Sequence, residues 1–374
     1  MRKQLMAISL ASVMALSLAG CGGGNTTATT AAASGDSKTA ETSAEVKAEE
    51  SKAEESKADG ASTTEPELVF KYAELNSDDN INTRVGYEFA KNVEEMSDGR
   101  IKIEVYSAST LGDEKTCLNA LQMGGGTVDM YRANTNSLSD YGFQKLNMFG
   151  LPFIFSSRDS MWKVLEDEEL GQAFLSEGSE VGAGMVGLFY MDEGARNLFT
   201  TKEISGLGDI KGMKIRVPET QLMMDTMKAL GAEPTPISYS ELYSSLQSGV
   251  VDGAENGYPG YSSNKFYEVA PYYLLSGHTF SPGIVLMAEA KWNALSEEDQ
   301  KILLEAGQKA SDWNKSAIGE EEVALRKDLE DKGVHIIDMT AEDLAAAQSA
   351  CEPVWANYTK GIEDLLQKMV EIQK

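Results

Sequence analysis

The chain has 374 residues, and its 59 acidic side chains outnumber its 33 basic ones, which gives a formal net charge of −26 at pH 7. Surfaces that bind nucleic acid are basic, so this charge argues against nucleic acid as a partner. An acidic protein also repels small anions at a distance. Any site for an anion would therefore have to be locally cationic, which directs attention to individual arginines.

The N-terminal residues have the pattern of an export signal. Two basic residues precede an apolar run over residues 5–18, which is short for a membrane span. The tetrapeptide LAGC at residues 18–21 is typical of a lipobox, in which Cys21 is lipidated and becomes the mature N-terminus. We predict a lipoprotein signal peptide over residues 1–21 and a lipid anchor on the outer face of the cytoplasmic membrane. A plain signal peptide with an incidental cysteine is the alternative.

Residues 22–66 consist mainly of Gly, Thr, Ala, Ser, Glu and Lys, and the pentapeptide AEESK occurs twice in succession, at 48–52 and 53–57. A segment of this composition buries too little apolar surface to offset the entropy of ordering it. We predict a disordered tether here. The remaining residues, from 67 onward, are numerous enough for two lobes with their own cores.

The first part of this region alternates strands with amphipathic helices. The apolar periodicity predicts strands over 68–73, 101–106 and 127–132, with helices over 82–96 and 113–123. The pattern resumes with strands over 184–190, 213–217 and 283–287 and a helix over 221–230. Such alternation is typical of an α/β fold with a mainly parallel sheet.

A capping sequence at Ser296 begins a helix that reaches about Asp331, and further helix is predicted over 340–374. The helix from Ser296 is too long for one compact lobe, so we expect it to run along both. The predicted lobes comprise residues 67–193 with 283–322, and residues 194–282 with 323–374. A cleft between two lobes is where a ligand would bind.

The sequence offers little for catalysis or metal binding. Only two histidines are present, without metal-ligand spacing, and no Gly-x-Ser-x-Gly element occurs, so we expect no metal, no cofactor and no enzymatic activity. Asp252 and Glu255 resemble a glycosidase pair, but their odd spacing on a strand would point them to opposite faces. Cys117 and Cys351 could form a disulfide in an exported chain, although each lies in a helical pattern.

Two arginines are candidates for binding an anion. Arg216 lies between Ile215 and Val217 in a predicted strand, so the alternation places it on the opposite face from these apolar neighbours. A guanidinium offers a planar fork that matches a carboxylate. A solvated strand face is the alternative for Arg216, and an ordinary surface loop is the alternative for Arg196.

Several motifs, spread from about residue 70 to the C-terminus, resemble the solute receptors of TRAP (tripartite ATP-independent periplasmic) transporters. They are the segment 212–256, with GMKIRVPET near its start and DGAEN at its end, and shorter matches at 99–101, 105–106, 111–114, 121–123, 127–130, 151–155 and 266–270. The three glycines at 124–126 depart from the single glycine usual in the family. The resemblance implies a two-lobed, periplasmic-binding-protein-like α/β fold with a long helix spanning both lobes. It also implies a receptor that delivers a small organic acid to a membrane permease. A monomer is the default expectation, because nothing in the sequence indicates an oligomer.

The resemblance also assigns roles to residues. It implies that Arg216 binds the ligand carboxylate with two hydrogen bonds, that Arg196 and Asn256 lie beside the same carboxylate, and that Tyr239 packs on the ligand. The DGAEN sequence would be a turn that supports Asn256. Further residues expected to line the cleft or its water network are Glu114, Asn134 and His278, followed by Arg132, Glu219 and Glu74.

The polar groups in this set favour a particular class of ligand. Many acceptors and donors around one carboxylate-binding arginine suit a polyhydroxylated acid, so we predict a hexuronate or a related sugar acid. A C4-dicarboxylate is the first alternative, although it would prefer a second cation. Two other classes remain open, a protein that presents the ligand to a sensor kinase and an exported enzyme.

Overall fold

A computed structural model describes residues 65–374. The predicted signal peptide, the lipidation site Cys21 and nearly all of the tether lie outside these residues. Among the helices that the structure describes, none combines the length and the apolar character needed to cross a membrane.

Strands and helices alternate along most of the described chain. Its strands are β1 Leu68–Ala73, β2 Ile101–Tyr106, β3 Met130–Asn134, β4 Met185–Met191, β5 Arg196–Thr200, β6 Lys214–Val217, β7 Glu233–Pro236, β8 Gly253–Asn256, β9 Tyr272–Thr279, β10 Gly283–Ala288 and β11 His335–Asp338. Its α-helices are α1 Ile81–Met96, α2 Glu114–Gln122, α3 Arg158–Leu165, α4 Gly171–Phe174, α5 Glu177–Glu180, α6 Gln221–Ala229, α7 Leu242–Gln247, α8 Tyr258–Ser263, α9 Glu289–Trp292, α10 Glu297–Asp331, α11 Ala341–Tyr358 and α12 Glu363–Ile372. Short 3-10 helices cover Thr135–Ser137, Ser139–Tyr141, Leu146–Gly150, Leu207–Ile210, Tyr239–Glu241 and Phe266–Glu268.

The first sheet has the strand order β2-β1-β3-β10-β4. β1 is parallel to β2 and β3, whereas β10 is antiparallel to both β3 and β4. The sheet is therefore mixed: β1, β2, β3 and β4 run in one direction, and β10 runs against them because it enters from the edge where its neighbours end. Its first residue, Gly283, pairs with Asn134 at the end of β3 and with Met191 at the end of β4.

The second sheet has the order β11-β9-β5-β8-β6-β7 and is also mixed. β5 is antiparallel to β8, so the first residues of β5 lie beside the last residue of β8, Asn256. β6 runs parallel to β8, so its C-terminal end reaches the same edge. This edge consequently carries Arg196, Arg216 and Asn256. The chain passes between the two sheets through short segments at residues 192–195 and 280–282, and a third time through the helices between β10 and β11.

Helix α10 is 35 residues long, about 52 Å at the usual rise, and it contacts elements of both sheets. Ser296 caps its N-terminus by accepting a hydrogen bond from the Asp299 amide, as the sequence predicts. Its residues Leu303, Ala306 and Ala310 lie in the core of the first sheet, while Leu329 lies in a core of the second. The predicted two-part α/β fold with a long shared helix is confirmed.

The C-terminal helices bear on the predicted lobe boundaries. Those boundaries assign α12 to the second lobe, whereas Met369 of α12 packs into the core cluster of the first sheet. The assignment of lobes by residue range stays a prediction. Cys117 and Cys351 are free, buried thiols that belong to two different core clusters, so the structure does not pair them.

Candidate functional site

A cavity of about 320 Å³ lies where the edges of the two sheets face each other. Its size is at the lower end of the range of roughly 300–1,000 Å³ in which proteins hold small molecules. Asn134 lines it from the first sheet, Arg216 and Asn256 line it from the second, and Glu193 lines it from the segment between β4 and β5. The crossing segment at residues 192–195 therefore forms part of the wall.

Arg216 is buried on β6, with 3% of its surface exposed. Its Nε donates to the Ile237 carbonyl oxygen at 2.7 Å, and its guanidinium carbon lies 5.6 Å from the centre of the Tyr239 ring. These contacts fix the plane of the guanidinium. Within the described residues, Nη1 and Nη2 have no hydrogen-bond partner, and no carboxylate lies within salt-bridge distance of them. Burial lowers the pKa of Arg216, partly offset by the charge of Glu255.

Arg196 is committed to a neighbouring carboxylate. Its Nε and Nη2 donate to the two oxygens of Glu255, at 2.5 and 2.7 Å, and Nη2 also reaches the Glu255 carbonyl at 3.2 Å. Burial would raise the pKa of Glu255, but the charge of Arg196 and the hydrogen bonds from His278 and Arg196 together outweigh it and hold that pKa at about 2. His278, fully buried behind this pair, places Nε2 at 3.4 Å from Glu255 Oε2, while its Nδ1 is 2.9 Å from the Ser276 hydroxyl. The positive charge of Arg196 is thus already neutralised.

Arg132, the third arginine of the cavity, is held by two acids. Its Nε donates to Glu74 Oε2 at 2.8 Å and its Nη2 to the other oxygen of Glu74, while Nη1 donates to Glu193 Oε1 at 2.9 Å. Asn134 joins the same network, donating to Glu193 Oε2 at 2.7 Å and to the Ser281 carbonyl at 3.1 Å. This corner of the cavity is therefore a closed network with more negative than positive charge.

Tyr239 connects the amide side chains of the site. Its hydroxyl accepts hydrogen bonds from Asn256 Nδ2 and Asn264 Nδ2, each at 3.0 Å, and donates to Asn76 Oδ1 at 3.3 Å. Burial raises the pKa of Tyr239 to about 12 despite the nearby Arg216, so the hydroxyl stays protonated at neutral pH. The ring of Tyr239 therefore carries a fixed polar tip and one face that receives the guanidinium of Arg216.

Four acids of the lining form no salt bridge among the described residues: Asp113, Glu114, Asp140 and Glu219. Glu114 lies in the first turn of α2, which Asp113 caps by accepting from the Thr116 amide at 2.9 Å. One of its oxygens, Oε1, is buried without a hydrogen-bond partner in the described part of the chain. Burial raises the pKa of Glu114. Glu219 is exposed and lies at the rim, after β6.

The structure brings together most of the residues that the sequence singles out. Glu114, Arg132, Asn134, Arg196, Arg216, Glu219, Tyr239 and Asn256 line the cavity. Glu74 and His278 lie one layer behind it, paired with Arg132 and next to Glu255 respectively. Whether each lining residue contacts a ligand stays a prediction. No group of three potential metal ligands occurs among residues 65–374.

The DGAEN sequence differs from its predicted form. Residues 253–256 form strand β8 and not a turn, because they pair with β5. Asp252 faces away from the cavity, bonded to Lys202 at 2.6 Å and to the Lys214 amide at 3.0 Å. The sequence interpretation missed Glu255 as the partner of Arg196 and Glu193 as the partner of Arg132. In the sequence, the only feature that indicated such a partner was an acid directly beside an apolar strand in a chain with few basic residues.

The chain was compared with protein families and with individual proteins. The family model for bacterial extracellular solute-binding proteins of family 7 (DctP) matches residues 72–361. A solute-binding protein of Chromohalobacter salexigens is 32% identical over 286 residues, which are 76% of this chain and 83% of that protein. The predicted resemblance is thereby confirmed.

Solved structures agree with the sequence comparison. A TRAP periplasmic solute-binding protein from Bradyrhizobium, in complex with D-galacturonate, superposes with a TM-score of 0.75 at 31% identity, covering 81% of this chain and 99% of that one. One from Pseudomonas putida F1, with bound D-glucuronate, has a TM-score of 0.75 at 30% identity, covering 81% and 96%. With a match to the family model over most of its described length, the chain belongs to family 7 of the bacterial extracellular solute-binding proteins, the solute receptors of TRAP transporters.

Proposed function

We propose that this receptor captures a hexuronate or a related sugar acid outside the cytoplasmic membrane and delivers it, chemically unchanged, to the permease subunits of its transporter. The observation that carries the proposal is the state of Arg216. It is the arginine of the cavity whose two Nη groups have no partner in the described residues, whereas Arg132 and Arg196 are neutralised by acids. A ligand carboxylate would supply the missing partner.

The remaining polar groups favour one carboxylate and several hydroxyls. Glu114 offers a buried acceptor without a donor in the described part of the chain, and Glu219 adds a second acidic group at the rim. Ligand hydroxyl groups can donate to both. A second carboxylate at that end would meet like charge, which disfavours a C4-dicarboxylate. The uronates bound in the similar Bradyrhizobium and Pseudomonas proteins support the same class.

The anchor and the mode of delivery complete the proposal. Lipidation at Cys21 would hold the receptor at the outer face of the membrane, and residues 22–66 would give it reach to the permease. Since both sheets contribute to the cavity wall, a ligand that contacts both edges would favour a closed arrangement. We propose that a monomer is sufficient, because both edges belong to one chain.

A ligand screen by thermal shift tests this function. D-Glucuronate, D-galacturonate and D-gluconate are compared with succinate and L-malate, and each stabilising ligand is followed by calorimetry. We expect at least one sugar acid to raise the melting temperature, because a ligand that binds only the native state adds to its stability in proportion to the logarithm of its concentration over Kd. Stabilisation by succinate or malate alone would show the sugar-acid proposal to be wrong.

Glu114 gives a second test, directed at selectivity. We expect Glu114→Gln to weaken sugar-acid binding by roughly tenfold, since a hydrogen bond to a charged acceptor contributes about 1.5 kcal/mol or more. Binding of succinate should become stronger relative to the sugar acid, because the opposing charge is gone. Calorimetry with both ligands measures the change in their ratio.

The matched control is Glu219→Gln, which removes the same charge from an exposed position. Solvent and salt screen an exposed carboxylate, so we expect a change of about twofold or less. An unchanged ratio in Glu114→Gln would contradict the role assigned to Glu114.

A further inference from the structure

A second cavity, of about 260 Å³, lies next to the first. Leu75 and Tyr239 line both cavities. The guanidinium of Arg216 lies 5.6 Å from the centre of the Tyr239 ring, and Phe266, which lines the second cavity, packs edge-on to the same ring at 5.9 Å. The second cavity therefore begins one aromatic ring away from the arginine that we propose as the carboxylate partner.

The chemistry of the second cavity differs from that of the first. Hydroxyl and amide groups line it, together with aromatic rings, and its described lining contains no acid or base that is charged at neutral pH. The polar groups come from Ser77, Ser109, Ser240, Ser263 and Asn264. In a chain with a net charge of −26, an uncharged surface rich in hydroxyls suits a neutral polyhydroxylated group, which exchanges hydrogen bonds with hydroxyls and packs its carbon atoms on aromatic faces.

The wall between the two cavities includes Leu75, which lines both, together with Asn76, Tyr239 and Asn264. On the second-sheet side it is held by the bond from Asn264 Nδ2 to the Tyr239 hydroxyl at 3.0 Å. Asn76, which follows β1 of the first sheet, accepts from Tyr239 at 3.3 Å and from Asn264 at 3.4 Å. Both distances are at the long end for hydrogen bonds, so these contacts across the wall are weak. These two contacts are the ones that a ligand reaching from one cavity into the other would replace.

We infer that the two cavities form one elongated site, in which the second holds a neutral sugar ring attached to the sugar acid. This inference rests on the proposed function and extends its ligand class from single sugar acids to disaccharides with one carboxylate. In a pyranuronate the carboxylate is bonded to C5, so a substituent on the adjacent C4 oxygen lies closest to it. A hexosyl group at that position would start beside Arg216 and continue past Tyr239 into the second cavity.

Calorimetry with D-glucuronate and with 4-O-β-D-glucosyl-D-glucuronate tests the inference. Ser240→Trp and Ser77→Trp fill the second cavity from its two opposite walls, so that one variant remains informative if the other fails to fold. Ser244→Trp is the matched control, because Ser244 is exposed and lines neither cavity.

We expect the unmodified protein to bind both ligands. Each filling variant should weaken binding of the disaccharide by about tenfold or more while leaving D-glucuronate within about twofold, and the control should change neither. Two results would overturn the inference. In the first, the protein binds D-glucuronate but not the disaccharide. In the second, both filling variants and the control bind the disaccharide equally well. If neither ligand binds, the inference is overturned, and the proposed function fails as well if no other sugar acid of the thermal-shift screen binds.

Discussion

Arg216→Ala is expected to weaken sugar-acid binding by about 10² to 10⁴-fold. The substitution removes two charge-assisted hydrogen bonds, each worth about 1.5–3 kcal/mol, and every 1.4 kcal/mol corresponds to a factor of ten. The other arginines of the cavity cannot replace them, because Arg132 and Arg196 are already paired with acids. The loss of affinity is measured by calorimetry, with the sugar acid that the ligand screen identifies.

The same variant should leave the empty protein as stable as before. Arg216 has no carboxylate partner among the described residues, and burial lowers its pKa, so its removal relieves a desolvated charge and leaves no acid unpaired. We expect an unchanged or slightly raised melting temperature.

Two further variants serve as controls for Arg216→Ala. Arg216→Lys keeps the charge but loses the planar fork, so its affinity for the sugar acid should lie between those of the unmodified protein and Arg216→Ala. Arg326→Ala, on the exposed part of α10, controls for general loss of positive charge. Full affinity in Arg216→Ala would refute the carboxylate-binding role.

Glu255→Ala should destabilise the protein by about 3–5 kcal/mol. The substitution leaves Arg196 buried with no acid in hydrogen-bond distance, and breaking a buried ion pair on one side typically costs that much. Urea unfolding measures the change in the free energy of unfolding. A value below about 0.5 kcal/mol would show that the pair does not support the native state.

The double variant Arg196→Met/Glu255→Ala separates the pair from its surroundings. With both charges removed, the penalty of an unpaired arginine disappears, so we expect the double variant to be more stable than Glu255→Ala alone.

The contribution of the Arg196–Glu255 pair to stability depends on pH, and the direction of this dependence follows from the pKa of Glu255. The native pKa of Glu255, about 2, lies below its ordinary value of 4.5, so the stability from this pair is present above pH 4.5 and is lost as the pH falls through 2. Glu255→Gln should lack this part of the acid-induced loss.

Much of the fold follows from local patterns. Strands β1 and β2 coincide with their predicted ranges, because their alternating apolar residues need no distant partner to be recognised. β3 begins three residues later than predicted. The carboxylate of Asp129 accepts hydrogen bonds from the Lys71 and Gly126 amides, which holds the chain in a loop until Met130 joins the sheet.

The site is less accessible from sequence. The position of Arg216 between two apolar neighbours indicated its face of the strand, but its lack of a partner is a property of the folded arrangement. The pairing of Arg196 with Glu255 joins residues 59 positions apart, and that of Arg132 with Glu193 joins residues 61 apart. No local pattern encodes such distances. The resemblance placed Arg216 ahead of Arg196 and Arg132, but only the folded arrangement shows that the other two are paired with acids and that Arg216 is not.

The two buried thiols have a practical consequence for measuring motion. Cys117 and Cys351 are 0% and 1% exposed, and burial raises the pKa of each to about 12. Thiol-directed labels react with accessible thiolates, so both native cysteines should stay unlabelled in the folded protein. In protein that starts after Cys21, a pair of spectroscopic labels can therefore be attached to cysteines introduced on opposite sides of the cavity, for example by Lys115→Cys and Ser240→Cys. The native cysteines need not be removed first. The distance between such probes would follow the opening and closing of the receptor in solution.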